Sequence, residues 1–383
     1  MSNKKKYGQF MTTNYEYILQ NMKIPDNIYN IIEPFAGNGD LLNFIKNKNN
    51  YIITCYDIEP KKDFITMRNT ILNPPSYLNT FIITNPPYLA RNKSNDKELF
   101  NKYDQNDLYK CFLKELITNK CLGGIVIVPL NFWCSIRVSD INLRKEFLNI
   151  YKIIIINIFE EKVFDDTTYT ICSFQFELKN ENINSYNYSH EINIMIYPLK
   201  KEIITDLNDN NNYLIGGSIY NLKSKNNLNT KYNITRLTKN NKNNKYNNNE
   251  KNEFITNILV KCIDDNNDKK LGLFFIDNDK DIYIDETPNL SARTYATLII
   301  EPKISKDKQK EIIYKVNNFI NDYRIKYHSL FLTNYRESKD ISRKRISFEL
   351  VYQIVEHILS NNLLEYNSLE NDSLEDSLKA LKI

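Results

Sequence analysis

Residues 80–88 read Thr-Phe-Ile-Ile-Thr-Asn-Pro-Pro-Tyr, an apolar run that leads directly into Asn85-Pro86-Pro87-Tyr88. The apolar run predicts a buried strand whose carboxyl end lies where a ligand would bind. The Asn85 side chain and the Pro86 carbonyl are hydrogen-bond acceptors, and the two prolines restrict the backbone around them. Two fixed acceptors suit an exocyclic amine, because its delocalised lone pair becomes nucleophilic only when both N–H groups are held.

This tetrapeptide also has a simpler explanation. Asn and Pro are common turn residues, so the four residues could be only a turn after a strand. Tyr88 favours a binding role, because its ring offers a face on which a planar base can stack. The turn explanation becomes weaker when a second site upstream is considered.

The second site is a glycine-containing turn. Glu33 to Asp40 read EPFAGNGD, and two of the chain's 8 glycines, Gly37 and Gly39, lie here. Residues without Cβ allow a sharp strand-to-helix turn and a close approach of the backbone to a ligand. The next apolar run, 51–56, ends at Asp57, whose carboxylate is placed to accept hydrogen bonds from both hydroxyls of a ribose. The turn lacks a third glycine and a basic residue, which favours an adenosyl ligand carrying an amino acid over a dinucleotide.

Apolar runs alternate with helical patterns in the first half of the chain. The predicted strands span 29–33, 51–56, 80–84, 124–129 and 152–158, and the predicted helices span 13–23, 39–47, 105–119 and 143–150. This alternation predicts an α/β fold with a doubly wound, mostly parallel sheet. A chain of 383 residues is expected to form two domains. We place them at 1–180 and 181–383, the second with an α+β fold.

The composition changes within the second domain. The segment 206–252 is rich in Asn and Lys, which predicts solvated, flexible loops, with mobility expected at least for 239–251. Order is predicted to return near Phe254. Strand-like runs follow at 271–276, 281–284 and 296–300, and a helical pattern covers 306–323.

Charge and composition limit the functions that the chain can have. The chain carries 51 Lys and Arg against 47 Asp and Glu, a net charge of +4, so any contact with nucleic acid must come from a local cluster. Six cysteines without a C-x-x-C pair and three scattered histidines predict reduced thiols and no metal site. No apolar run approaches the ~20 residues of a membrane span, and no apolar core follows the basic amino terminus. We therefore expect an intracellular, cytoplasmic protein.

The order of the EPFAGNG turn, Asp57 and NPPY resembles that of the gamma class of DNA adenine-N6 methyltransferases from restriction-modification systems. Tyr7 to Thr13 is similar to the amino-terminal cofactor motif of that class. Asp107-Leu108-Tyr109, Gly123 to Pro129 and Val163 to Phe176 are similar to later motifs. The similarity covers about residues 6–178 and implies a Rossmann-like methyltransferase domain that precedes a target-recognition domain.

The resemblance implies S-adenosylmethionine as cofactor, double-stranded DNA as partner and a flipped adenine as target. Asn85, Pro86, Pro87 and Tyr88 would be catalytic, and the base would stack on Tyr88 and Phe164. Since the sulfonium of this cofactor already activates its leaving group, no metal is expected. The implied cofactor-binding residues are Phe10, Thr12, Thr13, Glu33, Pro34, Phe35, Ala36, Gly37, Gly39, Asp57, Ile58, Asn69 and Asn85.

The chain departs from this class at one position. Many relatives carry an Asp before the NPPY strand, near the cofactor adenine, where this chain has Asn69. An amide oxygen still accepts a hydrogen bond from the adenine amino group, so we expect weaker cofactor binding rather than none.

A basic cluster in the second domain is the predicted DNA-facing surface. Its five residues lie within ten positions, and they are Arg336, Lys339, Arg343, Lys344 and Arg345. Basic residues with small hydroxyl donors between them suit contacts to phosphates and base edges. The alternative is the solvated start of an exposed helix.

Three other functions use similar residues. NPPY also occurs in enzymes that methylate adenine in structured RNA or a glutamine side chain, although these enzymes are usually shorter. Enzymes that methylate N4 of cytosine use the same geometry, but their tetrapeptide more often begins with Ser. A non-catalytic DNA-binding subunit is the alternative outside enzymes, and the intact motifs argue against it. The resemblance is also compatible with a partner restriction endonuclease that acts separately. The chain itself would then be a monomer or a weak dimer.

Overall fold

The computed structural model describes residues 8, 12–164, 169–179, 191–222, 232–239, 253–264, 270–285, 294–336 and 342–360. Phe10, Lys339 and the segment 240–251 lie outside the described residues, as do the side chains of Arg336 and Arg343. The chain divides into two compact units. The first comprises residues up to Gly217 with Thr333–Ser342, and the second comprises Ser218–Leu332 with the residues from Arg343 onward.

A nine-stranded sheet forms the centre of the first unit, in the order β3-β2-β1-β4-β5-β7-β6-β8-β9. The strands from β3 to β5 pair in parallel, whereas β7 runs antiparallel to both β5 and β6. β4 and β5 are buried at every residue, as expected for strands covered on both faces. The strands are β1 (Asn30–Glu33), β2 (Ile52–Asp57), β3 (Ile65–Met67), β4 (Phe81–Thr84), β5 (Gly123–Pro129), β6 (Tyr151–Phe159), β7 (Ile171–Leu178), β8 (Glu191–Tyr197) and β9 (Lys201–Asp206).

Five α-helices lie in the described part of this unit: α1 (Tyr15–Ile18), α2 (Glu98–Tyr103), α3 (Leu108–Thr118), α4 (Asn131–Cys134) and α5 (Val138–Ile150). The predicted helices at 105–119 and 143–150 are confirmed as α3 and α5. The predicted helix at 39–47 is instead a 3₁₀ helix over Asp40–Phe44, which begins after the left-handed Gly39 at φ 79° and ends at the extended Ile45.

The parallel core and the strand order confirm the predicted doubly wound, mostly parallel α/β fold. With helices around a mostly parallel sheet, this is a Rossmann-like fold. None of the helices in the described residues is long and apolar enough to cross a membrane.

The first unit extends beyond the boundary at residue 180 that the sequence analysis placed. β8 pairs in parallel with β6, and β9 pairs with β8, so both strands continue the same sheet. The chain after β9 was expected to form solvated loops, yet Leu214 and Ile215 are 1% and 0% exposed. Isolated apolar side chains in a polar tract are thus sufficient to anchor this segment to the core.

The second unit has an α+β fold. A four-stranded antiparallel sheet in the order β10-β14-β11-β13 packs with α6, whose Ile312, Val316 and Ile320 are buried. Residues 348–360 form the helix α7. The strands after β9 are β10 (Asn233–Arg236), β11 (Ile255–Lys261), β12 (Ile263–Asp264), β13 (Gly272–Phe275), β14 (Tyr295–Glu301), β15 (Thr333–Arg336) and β16 (Ser342–Arg345), and α6 spans Lys306–Tyr327. Of these strands, β15 belongs to the first unit, and β16 begins at the last residue of that unit, Ser342.

Candidate active site

The predicted motifs meet at one edge of the first sheet. β1 ends at Glu33, β2 ends at Asp57, and β4 ends immediately before Asn85. Because these strands are parallel, their carboxyl ends lie at the same edge, where ligands bind in open α/β sheets. The amide of Ala36 donates to the carbonyl of Tyr56 at 2.8 Å, which joins the EPFAGNG turn to β2.

The EPFAGNG turn requires its glycines. Gly37 and Gly39 have φ angles of 53° and 79°, in the region that favours glycine. A Cβ on Gly39 would lie 3.0 Å from Cζ of Phe64, an exposed aromatic ring. The Gly37 amide donates to Oδ2 of Asp57 at 2.8 Å, so the turn and the ribose-binding candidate are in direct contact.

Three carboxyl groups give this site an acidic character. Glu33 is 1% exposed, and its Oε2 is buried without a hydrogen-bond partner in the described structure. Burial raises the pKa of Glu33 well above its usual range, and the charges of Asp40 and Asp57 raise it further. A ligand with a positive charge and N–H donors would relieve both the repulsion and the missing hydrogen bond. The sulfonium and amino group of S-adenosylmethionine fit this requirement.

Asp57 accepts a second hydrogen bond, from the Glu59 amide to Oδ1 at 2.8 Å. Each of its carboxylate oxygens therefore takes one backbone N–H, which fixes the side chain. A carboxylate oxygen that accepts a backbone N–H can also accept a ribose hydroxyl.

Asn85 is held by the amino-terminal segment and by Tyr88 of its own motif. Its Nδ2 donates to Oγ1 of Thr12 at 3.0 Å, and its Oδ1 accepts the hydroxyl of Tyr88 at 2.5 Å. Thr12 is 4% exposed and Asn85 is 8% exposed. Thr12 of the amino-terminal motif thus lies against NPPY, whereas the next residue in the motif, Thr13, is exposed. In this arrangement the Tyr88 hydroxyl uses the acceptor that a target amine would need.

Tyr88 itself is buried, at 4% exposure. The edges of Tyr109 and Tyr169 contact its ring, each with centroids 6.0 Å apart, and its hydroxyl lies 3.0 Å from the carbonyl of Ile127. Burial raises the pKa of Tyr88 well above its usual range. The expected stacking face is therefore covered in this conformation. Phe164, the second stacking candidate, is also buried, at 6% exposure.

Gly8, which lies in the amino-terminal motif but was not predicted as a site residue, fixes the NPPY segment. The amide of Tyr88 donates to the carbonyl of Gly8 at 2.9 Å, and a Cβ on Gly8 would lie 2.7 Å from the carbonyl carbon of Tyr88. Gly8 also has a φ of 68°, so both space and backbone conformation require glycine.

The segment after β3 completes the candidate cofactor site. Oγ1 of Thr70 donates to the carbonyl of Pro34 at 2.9 Å, which places the segment next to the EPFAGNG turn. Oδ1 of Asn69 accepts the amides of Ile71 and Leu72 at 3.3 and 3.1 Å. Asn69 therefore stabilises a turn with the oxygen that was expected to contact the cofactor adenine.

A cavity of about 570 Å³ lies beside NPPY, and sequence reasoning did not locate it. It is lined by residues after β4, at the start of α3, after β5 and at the start of α5. Its charged lining residues are Arg91, Lys97, Lys110, Arg137, Asp107 and Asp140. Polar residues directly after β5, such as Asn131, could have been found by applying the rule that selected Asn85 after β4.

The four described residues of the predicted basic cluster lie on strands in the second half of the chain, not at a helix start. Arg336 ends β15, and Arg343, Lys344 and Arg345 belong to β16. β16 pairs antiparallel with β12. The ammonium of Lys344 donates to the carbonyl of His328 at 3.2 Å.

No protein-family model and no curated protein matches the chain. Among solved structures it is similar to a type I restriction-modification methyltransferase subunit from Streptococcus thermophilus, with 11% identity, TM-score 0.37 and coverage of 50% of this chain and 48% of that chain. The M protein of the type I restriction enzyme EcoKI has 12% identity, TM-score 0.37 and coverage of 49% and 48%. The type IIG restriction endonuclease BpuSI has 14% identity, TM-score 0.35 and coverage of 61% and 36%. The chain spans about half the length of the first two proteins.

Proposed function

We propose that this chain is a site-specific DNA methyltransferase of the restriction-modification type, which transfers a methyl group from S-adenosylmethionine to N6 of an adenine flipped out of duplex DNA. The observation that carries the proposal is the arrangement of Asn85 at the carboxyl end of β4. Its amide is fixed by Thr12, and its Oδ1 already accepts a hydrogen bond from a hydroxyl donor. The same oxygen, with the Pro86 carbonyl, would hold the two N–H groups of the target amine.

The residues of the EPFAGNG turn and Asp57 fit the cofactor. Glu33 supplies an unpartnered buried carboxyl oxygen next to two other carboxyl groups, and the glycines leave room for backbone to approach the ligand. S-adenosylmethionine, when bound, supplies an activated methyl group on a sulfonium. Glu33 would face its positively charged end, and the lone pairs of Asp57 would accept the ribose hydroxyls.

The chain's own residues would then position the amine for in-line attack. Asn85 and Pro86 would accept from the amine as positive charge develops on its nitrogen. The Tyr88 hydroxyl occupies one of the two lone pairs on Oδ1 of Asn85, so the amine would donate to the second or displace the hydroxyl from the first. When the ring turns away from Asn85, its face becomes available for stacking on the flipped base.

The cavity beside NPPY supports a nucleotide as substrate. Its volume of about 570 Å³ lies in the range of small-molecule sites. Arg91, Lys97 and Arg137 line it, and their positive charge would favour the phosphates that flank a flipped nucleotide. Base flipping costs a few kcal/mol, which stacking and these contacts would offset.

The direct test is transfer of a tritiated methyl group from S-adenosylmethionine to duplex DNA, structured RNA and protein extract in parallel. The proposal predicts incorporation into duplex DNA as N6-methyladenine. Incorporation only into RNA or protein would show that this molecule, and not duplex DNA, is the substrate. Cofactor binding by calorimetry without incorporation into any of the three would instead favour a non-catalytic subunit.

A further inference from the structure

Two buried polar atoms in the cavity beside NPPY have no hydrogen-bond partner in the described structure: Oδ1 of Asp107 and Oδ1 of Asn131. Folded proteins leave few such atoms, since each costs roughly 1–3 kcal/mol. The two residues belong to different elements, because Asp107 precedes α3 and Asn131 begins α4 after β5. Two residues that line one cavity thus each carry a buried polar atom without a partner, and a polar ligand in the cavity would complete these hydrogen bonds.

The cavity is connected to Asn85 through Tyr88. The Tyr88 hydroxyl bonds to Asn85, while its ring contacts Tyr109 and Tyr169, which both line the cavity. Asp107 forms an isolated antiparallel bridge with Ala90, two residues after Tyr88. A base whose amine reached Asn85 would therefore extend its ring toward the wall that carries Asp107.

The neighbouring charges do not neutralise Asp107. The ammonium of Lys110 is committed to Asp140 at 2.6 Å and to Asn106 at 2.9 Å. Burial raises the pKa of Asp107 to about 7, the charge of Lys110 and the backbone N–H groups of Leu108 and Tyr109 oppose this rise, and Asp140 adds to it. The other titratable and charged groups around it are Arg91, Lys97, Arg137, Tyr88, Tyr109, Tyr169 and Cys111. A carboxyl group in this setting can carry an O–H donor near neutral pH.

We propose that Asp107 is a specificity-determining residue of this site, donating a hydrogen bond from its carboxyl O–H to the ring nitrogen that adjoins the target amine. This inference rests on the proposed function. In adenine that ring nitrogen is an acceptor, whereas in guanine the corresponding position carries an N–H donor, which would leave the carboxyl without a partner. Cytosine presents the same order of amine and ring acceptor, so its rejection depends on the size of the ring and not on Asp107.

The test compares duplexes that carry adenine or 1-deazaadenine at the target position, since the second base lacks the ring nitrogen but keeps the amine. For the wild-type enzyme, the change to 1-deazaadenine should lower kcat/KM about tenfold, the size expected for one lost hydrogen bond. Asp107→Ala should lower kcat/KM on adenine by a similar factor and should show no further loss on 1-deazaadenine. Asp104→Asn, at an exposed carboxylate outside the cavity lining, is the matched control and should behave as wild type.

A pH profile supplies the second readout. The wild-type kcat/KM should fall about tenfold in total as Asp107 ionises around its pKa of about 7, and then level off near the value of Asp107→Ala. Asp107→Asn keeps an N–H donor at every pH, and Asn suits the start of a helix. This variant should therefore remain active, and its kcat/KM should not decrease at high pH. An equal 1-deazaadenine penalty in wild type and Asp107→Ala would overturn the inference, as would a wild-type profile that rises through pH 7. Failure of the wild type to methylate duplex DNA would overturn the proposed function itself.

Discussion

Glu33 and Asp57 end neighbouring strands, yet their carboxyl groups have very different surroundings. Each oxygen of Asp57 accepts a backbone N–H, whereas Oε2 of Glu33 is buried without a partner in the described structure. In the cofactor-free protein, Asp57 therefore stabilises the turn, whereas the buried Glu33 destabilises the folded state. A cationic ligand would remove this destabilisation.

The first prediction concerns Glu33→Gln in the cofactor-free protein. The folded-state pKa of Glu33 is raised, so its protonated form is favoured by folding and stability is lost as pH rises above the unfolded pKa of ~4.3. Gln cannot ionise, so the variant should gain on the wild type by up to about 1.4 kcal/mol per pH unit above that value. Urea unfolding at pH 4 and pH 7.5 measures the difference.

The same variant should bind S-adenosylmethionine more weakly, because it removes the charge that faces the cationic end of the ligand. A variant that is no more stable than wild type at pH 7.5 would contradict the account of Glu33. Unchanged cofactor affinity would show that Glu33 is not part of the cofactor site.

The second prediction concerns Asp57→Ala. Loss of charge-assisted hydrogen bonds to a ribose should weaken cofactor binding by about 1–3 kcal/mol in calorimetry, while DNA binding is retained. Asp57→Asn should lose less, since the amide keeps one acceptor oxygen. Equal cofactor affinity in wild type and Asp57→Ala would mean that the ribose lies elsewhere.

At the scale of elements, the NPPY segment depends on a contact with the amino-terminal motif. Gly8 and Tyr88 share a backbone hydrogen bond, and the space at Gly8 has no room for a Cβ. The third prediction is that Gly8→Ala displaces the carbonyl of Tyr88 and lowers kcat for methyl transfer at least tenfold, because a displacement of this size disturbs the aligned amine. Steady-state kinetics on duplex DNA measures it.

The matched control is Gly216→Ala. Gly216 has a similar positive φ of 67°, so the substitution imposes comparable backbone strain outside the candidate site. Its kcat should stay near that of wild type. An equal loss of kcat in both variants would show that strain, and not displacement of Tyr88, causes the effect.

The fourth prediction concerns the basic strands β15 and β16. If their cluster neutralises phosphates, replacing Lys344 and Arg345 with Ala should lower the slope of log affinity against log salt by ~1 to 2 for every sequence. If one of them reads a guanine edge, affinity should fall by about 1–3 kcal/mol on the cognate site alone. Cognate and scrambled duplexes measured across a salt series separate the two results.

Lys120→Ala with Lys152→Ala is the control pair. Both residues are exposed and lie near the amino ends of β5 and β6, at the edge opposite the candidate active site. The control should keep the wild-type slope. If the cluster variant also keeps it, the DNA-binding surface must be sought at other basic residues, such as Lys200, Lys201, Arg236 and Arg293.

Local patterns predicted the elements that carry the motifs. The apolar runs identified β4 and β5 to within one residue, because a strand buried on both faces must be continuously apolar. The burial of Tyr88 could not be predicted, since it depends on Tyr109 and Tyr169, which are distant in sequence. The cavity likewise forms where separate elements meet, and such contacts leave no local signal.

At the scale of the whole molecule, non-local pairing explains where the sequence division and the structure differ. β8 and β9 join the first sheet by pairing with β6 and with each other, although a polar stretch separates them from β7. The first unit also contains Thr333–Ser342, far along the chain. We propose that the first unit carries catalysis and that the second contributes target recognition.

Methylation by wild type and Asn85→Ala tests the central claim most directly. Duplex DNA is incubated with S-adenosylmethionine and each enzyme, its nucleosides are quantified by mass spectrometry, and cofactor affinity is measured in parallel. The account predicts N6-methyladenine with wild type and a loss of roughly 10²-fold or more with Asn85→Ala, at nearly unchanged cofactor affinity. Asn30→Ala, at the opposite edge of the sheet, should retain activity. Near-normal turnover by Asn85→Ala, or no N6-methyladenine from wild type that binds the cofactor, would contradict the account.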